Sequence, residues 1–170
     1  MLEAKPPRRL APVAVLAALA LLAGCATFAP GGLPPGTRIA TARAAAFGPS
    51  GEYALPGGGT RLEFAQGAFG KQTYMLDFDK SGVLVSSQQV LTELNLATIA
   101  PGMSANELRA GFGRPAWVFG VQHPRAHIWN YRFDGGDCVW YQVTVLDDTQ
   151  TVASAGIGTD PACDGPSQRD

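Results

Sequence analysis

The chain reads as an α+β protein built from two tandem units, each with short helices packed on an antiparallel meander. Three observations predict this: a helix with both ends written into the sequence at 104–113, a fainter copy of the same pattern near 37–48, and a run of alternating segments between turns after each copy. Ser104 and Glu107 have the S-x-x-E spacing of a capping box, and Met103 and Leu108 the spacing of a hydrophobic staple. Gly113 is expected to end the helix in the left-handed conformation and Pro115 to block its continuation. Leu108 and Phe112 share one face and predict packing on a sheet.

The upstream copy places Thr37 at the cap and Phe47-Gly48 opposite Phe112-Gly113. Leu62-Glu63-Phe64 answers Trp129-Asn130-Tyr131, and Tyr74 to Phe78 answers Tyr141 to Val145. Asp79 answers Asp147, so the offset drifts from 66 at Gly36/Gly102, through 65 at the phenylalanines, to 68, as small loop indels between two copies would produce. A recurrence on this scale means one supersecondary unit used twice.

Four segments follow: a leader over 1–24, a flexible tether over 25–35, a degenerate first unit over 36–91 and a second unit over 92–170. Lys5, Arg8 and Arg9 make a basic start, and Leu10 to Ala23 is a 14-residue apolar run. That is too short to span a bilayer and right for a secretory signal. It ends Leu22-Ala23-Gly24-Cys25, which resembles the lipobox of bacterial lipoproteins and makes Cys25 the expected site of lipidation. Ala26, not Asp, follows the cysteine, so the resemblance favours the outer membrane, with the chain anchored by lipid on the periplasmic face. Acyl chains contribute about 0.8 kcal/mol per buried methylene, and several together hold firmly. Pro30-Gly31-Gly32 and Pro34-Pro35 read as spacer.

Removing the leader leaves 146 residues with a formal charge of −3. Such a chain carries no electrostatic footprint for nucleic acid and no polybasic patch for anionic lipid. Cys138 and Cys163 remain as an even pair. In an oxidising compartment they are expected to bridge, which would contribute roughly 3 kcal/mol in the chain-entropy model.

In the first unit, helix is expected over 37–47 and strands over 52–55, 61–64, 71–79 and 83–85. A helix over 92–100 turns Leu91, Leu94 or Thr98 inward. In the second unit, strands are expected over 116–121, 127–133, 138–146 and 151–153. Trp129, Tyr131 and Phe133 share one side, as do Val139, Tyr141, Val143 and Val145.

The pattern I-x-x-G-M-S-x-x-E-L-x-x-x-F-G-x-P, carried by Ile99, Gly102-Met103-Ser104, Glu107-Leu108, Phe112-Gly113 and Pro115, precedes W-x-Y at Trp129 and Tyr131. It resembles the SmpA/OmlA (BamE-like) family of outer-membrane lipoproteins, well over 92–155 and weakly over 36–86. Two units in tandem are similar to the fold of β-lactamase inhibitory proteins. The resemblance implies helices on an antiparallel sheet, no catalysis and no cofactor. It also implies binding to envelope proteins, the β-barrel assembly machinery among them, with outer-membrane lipid met through the acyl anchor. The tandem form suggests the alternative of a periplasmic module that occludes an enzyme, which predicts a concave aromatic surface drawing on both units.

Other constellations have plainer readings. His123 and His127 are four apart, but Pro124 stands between them, so a hairpin loop outweighs a metal site. Asp77 to Gly82 imitates the start of an EF-hand loop, but its twelfth position is Gln88, which lacks the bidentate carboxylate. Asp134, Asp137, Asp147 and Asp148 fall at turns, where Asp is favoured for local hydrogen bonding. There is no G-x-S-x-G and no P-loop. Alternation sends Trp140 to the face opposite Tyr141, so Trp140 beside Trp117 is the candidate partner-binding patch.

Overall fold

Each half of the chain closes as a four-stranded antiparallel meander. The computed structural model describes residues 30–45, 48–160 and 163. Sheet 1 runs β1 (Gly51–Ala54), β2 (Thr60–Ala65), β3 (Thr73–Phe78), β4 (Leu84–Gln89), and sheet 2 runs β5 (Trp117–Gln122), β6 (Arg125–Tyr131), β7 (Val139–Leu146), β8 (Val152–Thr159), both in sequence order. Helix α1 (Ile39–Arg43) precedes the first sheet, while α2 (Glu93–Leu96) and α3 (Ala105–Phe112) precede the second. The protein is therefore a mixed α+β fold of two units.

The duplication extends to individual backbone hydrogen bonds. Gly36 N donates to Leu84 O, Leu84 N to Thr37 O and Ile39 N to Gly82 O. Gly102 N donates to Val152 O, Val152 N to Met103 O and Ala105 N to Gln150 O, the same three bonds one unit later. Gly36 and Gly102 take φ of +86° and +89° to make this turn, a conformation that favours glycine. Leu62 pairs with Leu76 as Trp129 pairs with Val143, and the register slips between Asp77/Phe78 and again between Thr144/Val145. Phe47 lies outside the described residues, so its match to Phe112 is not placed; the segment expected to be a leader, 1–24, and Cys25 lie outside them too.

Four layers stack as α1, sheet 1, α3 and sheet 2. Leu62, Phe64, Leu76, Phe78 and Leu84 face α1 and bury Ala42. On the opposite face of sheet 1, Met75 joins a larger cluster with Leu96, Leu108, Phe112, Trp129, Tyr131, Phe133, Tyr141, Val143 and Val145. Helix α3 lies between the sheets, with Arg61 of β2 donating to Ala110 O at 3.0 Å and Tyr131 of β6 donating to Gly113 O at 3.3 Å. Burying a large apolar side chain fully contributes about 1.5–3 kcal/mol, which is how an eight-residue helix persists here.

Several expectations need correction. Residues 30–33 are not spacer: Pro30–Gly32 forms a 3-10 turn, Pro30 is buried, and Leu33 packs on the first core. Thr37 is not a helix cap; its hydroxyl donates to Pro34 O, and Arg38 takes the N-cap position without a side-chain bond. The helix over 92–100 shrinks to one turn capped by Thr92. Of the residues expected inward, Leu91 is buried, but Leu94 is 81% exposed and Thr98 is exposed; Leu96 and Ile99 are buried in their place. Gly113 has φ +79° but ψ −163°, so it leaves the helix extended rather than left-handed helical. The last strand of each unit is longer than expected, because the partner strand offers a full ladder that weak apolar alternation did not announce.

Candidate binding site

The far side of sheet 2 is lined by odd residues of β5 and even residues of β6 and β7, paired as Trp117↔Asn130↔Gln142 and Phe119↔Ile128↔Thr144. Here a pocket of about 520 Å³ opens between the units. Phe69, from the β2–β3 loop of the first unit, forms one wall; Trp117 and Phe119 of β5 form another; Trp140 of β7 contributes from beneath, with Arg132 and Asp160 at the side. Phe69 is 85% exposed and Trp117 61%, whereas Trp140 is only 3% exposed. The sequence reading paired Trp117 with Trp140 on one face. The structure brings both to one pocket, but Trp140 is buried lining rather than exposed patch.

Arg132 organises this pocket. It makes a two-pronged ion pair with Asp160, Nε to Oδ2 at 2.9 Å and Nη2 to Oδ1 at 3.1 Å, and its Nη1 donates to Ala68 O at 3.0 Å. Its guanidinium carbon lies 5.1 Å from the Phe69 ring centroid and 5.5 Å from that of Trp140. A planar cation between two rings gains from both quadrupoles, and its charge is matched by the neighbouring carboxylate. The wall is thus apolar and locally neutral, and it ties the first unit's loop to the second sheet. The Trp140 indole nitrogen is buried without an acceptor among the described residues.

Phe69, Arg132, Phe119 and Asp160 were missed by sequence reasoning. Two signals pointed to them: Phe69 is a large apolar residue inside a glycine-bounded turn, and Arg132 interrupts an aromatic strand at the parity of the opposite face.

The disulfide Cys138–Cys163 stands beside the site. Asp160 N donates to Cys138 O and Cys163 N to Asp160 O, so the bridged segment carries the carboxylate that holds Arg132.

Behind the pocket the units meet around Glu63, which is fully buried. Its carboxyl accepts from Ser50 Oγ at 2.8 Å, Tyr53 OH at 2.6 Å and Arg114 N at 3.2 Å. Burial, and then the bond to Glu63, push the Tyr53 phenol well above its ordinary value.

The other candidates are structural. Asp79 Oδ1 accepts from Ser81 N, Ser81 Oγ and Val83 N, which holds its carboxyl below the usual carboxylate range, and Gly82 turns with φ +74°. His123 lies in the β5–β6 hairpin before a cis Pro124. His127 meets Asp147 at 2.6 Å on an exposed hairpin end, where Asp147 lines a shallow cleft with Pro124, Arg125, Leu146 and Asp148. Asp148 accepts from Thr149 N in the next turn.

Comparison with known proteins finds no matching family model and no matching curated protein. Among solved structures, a cysteine-rich secretory protein (SAV1118) from Staphylococcus aureus subsp. aureus Mu50 aligns over 74% of this chain at 13% identity and a TM-score of 0.28. The alignment takes in 44% of that protein, so this chain spans less than half its length.

Proposed function

We propose that the chain is a non-catalytic binding module, held by lipid at Cys25 on the periplasmic face of the outer membrane, that presents the aromatic pocket to envelope proteins. The observation that carries this reading is the pocket itself: apolar, locally neutral and walled by side chains of both units, with Phe69 and Trp117 open to solvent. Exposed aromatic residues around a buried Arg–carboxylate pair have the composition of a protein contact, where Trp, Tyr and Arg carry most of the energy. The leader ending at Cys25 supports the location, and the duplicated helix-and-meander unit supports the SmpA/OmlA (BamE-like) resemblance. The mechanism is positional. An anchor confines the module near its partners and raises their effective concentration.

Co-purification from crosslinked envelopes tests the proposal. Wild type is expected to recover specific envelope proteins, including members of the β-barrel assembly machinery, and Trp117→Ala to lose them with its melting temperature unchanged. Equal recovery by Trp117→Ala would remove the pocket from the account. Palmitate labelling that is equal in wild type and Cys25→Ala would remove the anchor. One observation favours a second reading, a module that occludes an enzyme: the concave aromatic surface draws on both units, as that reading requires. Inhibition of a periplasmic hydrolase by the purified chain would select it.

A further inference from the structure

We propose that the free edge of β5 pairs antiparallel with the same strand of a second copy, joining two four-stranded sheets into one of eight. Among the described residues the edge strands of the two sheets are β1, β4, β5 and β8. Folded proteins blunt such edges with charge, proline, bulges or a covering segment, and an exposed hydrophobic edge is the one that invites another strand. β1 carries Glu52, ion-paired to Arg43. β4 continues from Val85 through Ser86, Ser87, Gln88 and Gln89. β8 is mostly Ala, Ser, Gly and Thr after its first residue. β5 is Trp-Val-Phe-Gly-Val-Gln, with no charge, no proline and bulky strand-forming residues on both faces. Trp117, Val118 and Phe119 are 61, 43 and 40% exposed.

The strand's own sequence selects a second copy as the occupant. Opposed residues in a continuous antiparallel sheet point to the same face, so only registers of like parity keep the two sheets continuous. A two-fold axis at Phe119 sets Phe119 against Phe119, Trp117 against Val121 and Val118 against Gly120. Each bulky residue then meets an aromatic, β-branched or absent side chain. Moving the axis to Gly120 sets Trp117 against His123 in the hairpin and Val118 against Gln122, which loses that fit. The contact is isologous and closed, one patch meeting itself. It also places two aromatic pockets on one face, either side of the axis, because Trp117 and Phe119 line both.

Disulfide trapping in the full-length chain tests the register. Under mild oxidation, Phe119→Cys is expected to give covalent dimers, while Val118→Cys, opposed to Gly120, and Val85→Cys on the β4 edge stay monomeric. Wild type should sediment as a dimer at about 100 μM, and Phe119→Lys, which sets like charges face to face, as a monomer with unchanged circular dichroism. Equal trapping at all three positions, or a wild-type monomer at that concentration with no trapping, would overturn the pairing. A monomer that still recovers envelope proteins through Trp117 loses the pairing and keeps the binding function; a dimer that recovers none does the reverse.

Discussion

The two units share a backbone and differ in what covers one face of each sheet. Sheet 1 is enclosed on both sides, by α1 and by α3, whereas the corresponding far face of sheet 2 is open. Register makes the comparison residue by residue. Gly51, Tyr53, Arg61, Glu63 and Asp77 stand where the second unit has Trp117, Phe119, Ile128, Asn130 and Thr144. The enclosed face requires groups that satisfy one another: Arg61 donates to both oxygens of Asp77, and Glu63 accepts three bonds. It also requires room, since a Cβ on Gly51 would stand 2.7 Å from Glu63 Oε2. The open face permits bulk, and aromatic residues occupy it. A duplicated scaffold has therefore diverged where one copy became a seam and the other a surface.

The sharpest test of this contrast is the pair Glu63 and Asn130, both fully buried. Glu63→Ala strands Ser50, Tyr53 and the Arg114 amide between the units, and is expected to cost roughly 3 kcal/mol or more. Asn130 bonds Trp117 O, Ile128 O and Gln142, so its loss strands only neutral groups within one sheet. Asn130→Ala is expected to cost about 1–2 kcal/mol. Urea denaturation of both variants decides; the reverse order would break the assignment of seam and surface.

The repeat's paired glycines give the next largest difference. Gly113 has φ +79°, and a Cβ there would sit 2.9 Å from the Glu63 carboxyl carbon and 3.0 Å from Thr73 Cγ2. Gly48 has φ +57° with nothing within 4 Å. Gly113→Ala is expected to cost about 2–3 kcal/mol, strain plus collision, against roughly 1 kcal/mol of strain for Gly48→Ala. Thermal melts of the two variants side by side measure it.

Alkaline stability probes one phenol in each unit, with the same sign. Tyr131, buried in the shared core, is raised above its ordinary value of 10.0 by desolvation; Tyr53 is raised by burial and by Glu63. The first unit has Phe64 at the place of Tyr131. A phenol that stays neutral in the fold but ionises once unfolded contributes stability below pH 10 that is lost as pH rises beyond it. Unfolding free energy should therefore fall above pH 10, with a shallower slope in Tyr131→Phe and in Tyr53→Phe. An unchanged slope in both would place the titration elsewhere.

Local chemistry was legible in the sequence and the seam was not. The capping box, the turn glycines, the paired strands and the match of Leu62–Phe64 to Trp129–Tyr131 follow from spacing, because each is decided by near neighbours. The approach of Phe69 to Arg132 spans 63 positions and depends on how the two units dock, which no periodicity encodes. Glu63 alternates with Leu62 and Phe64 as the polar residue of a half-buried strand would, and only the second unit's Arg114 amide and Gly113 show why it is buried. Residues 30–33 failed for a different reason. Pro and Gly signal turns as strongly as spacers, and burial against β3 and β4 chose the turn.

The smallest expected effect concerns the helix starts. In the second unit Ser104 Oγ accepts from Glu107 N, and Glu107 Oε2 accepts from Ser104 N at 2.8 Å and Ser104 Oγ at 2.7 Å. These bonds hold the Glu107 carboxyl below its ordinary value, the Ser104 hydroxyl foremost. In the first unit Arg38 offers no cap bond and Thr37 bonds backward to Pro34 O. Ser104→Ala is expected to cost about 1 kcal/mol and Thr37→Ala less than about 0.5 kcal/mol. Because the cap acts on α3, between the sheets, its loss should also speed amide exchange at Leu108 N, which donates to Ser104 O. Equal costs in the two units would mean that the upstream helix start is secured by contacts other than a cap, and would restore to the first unit the symmetry that its sequence only partly keeps.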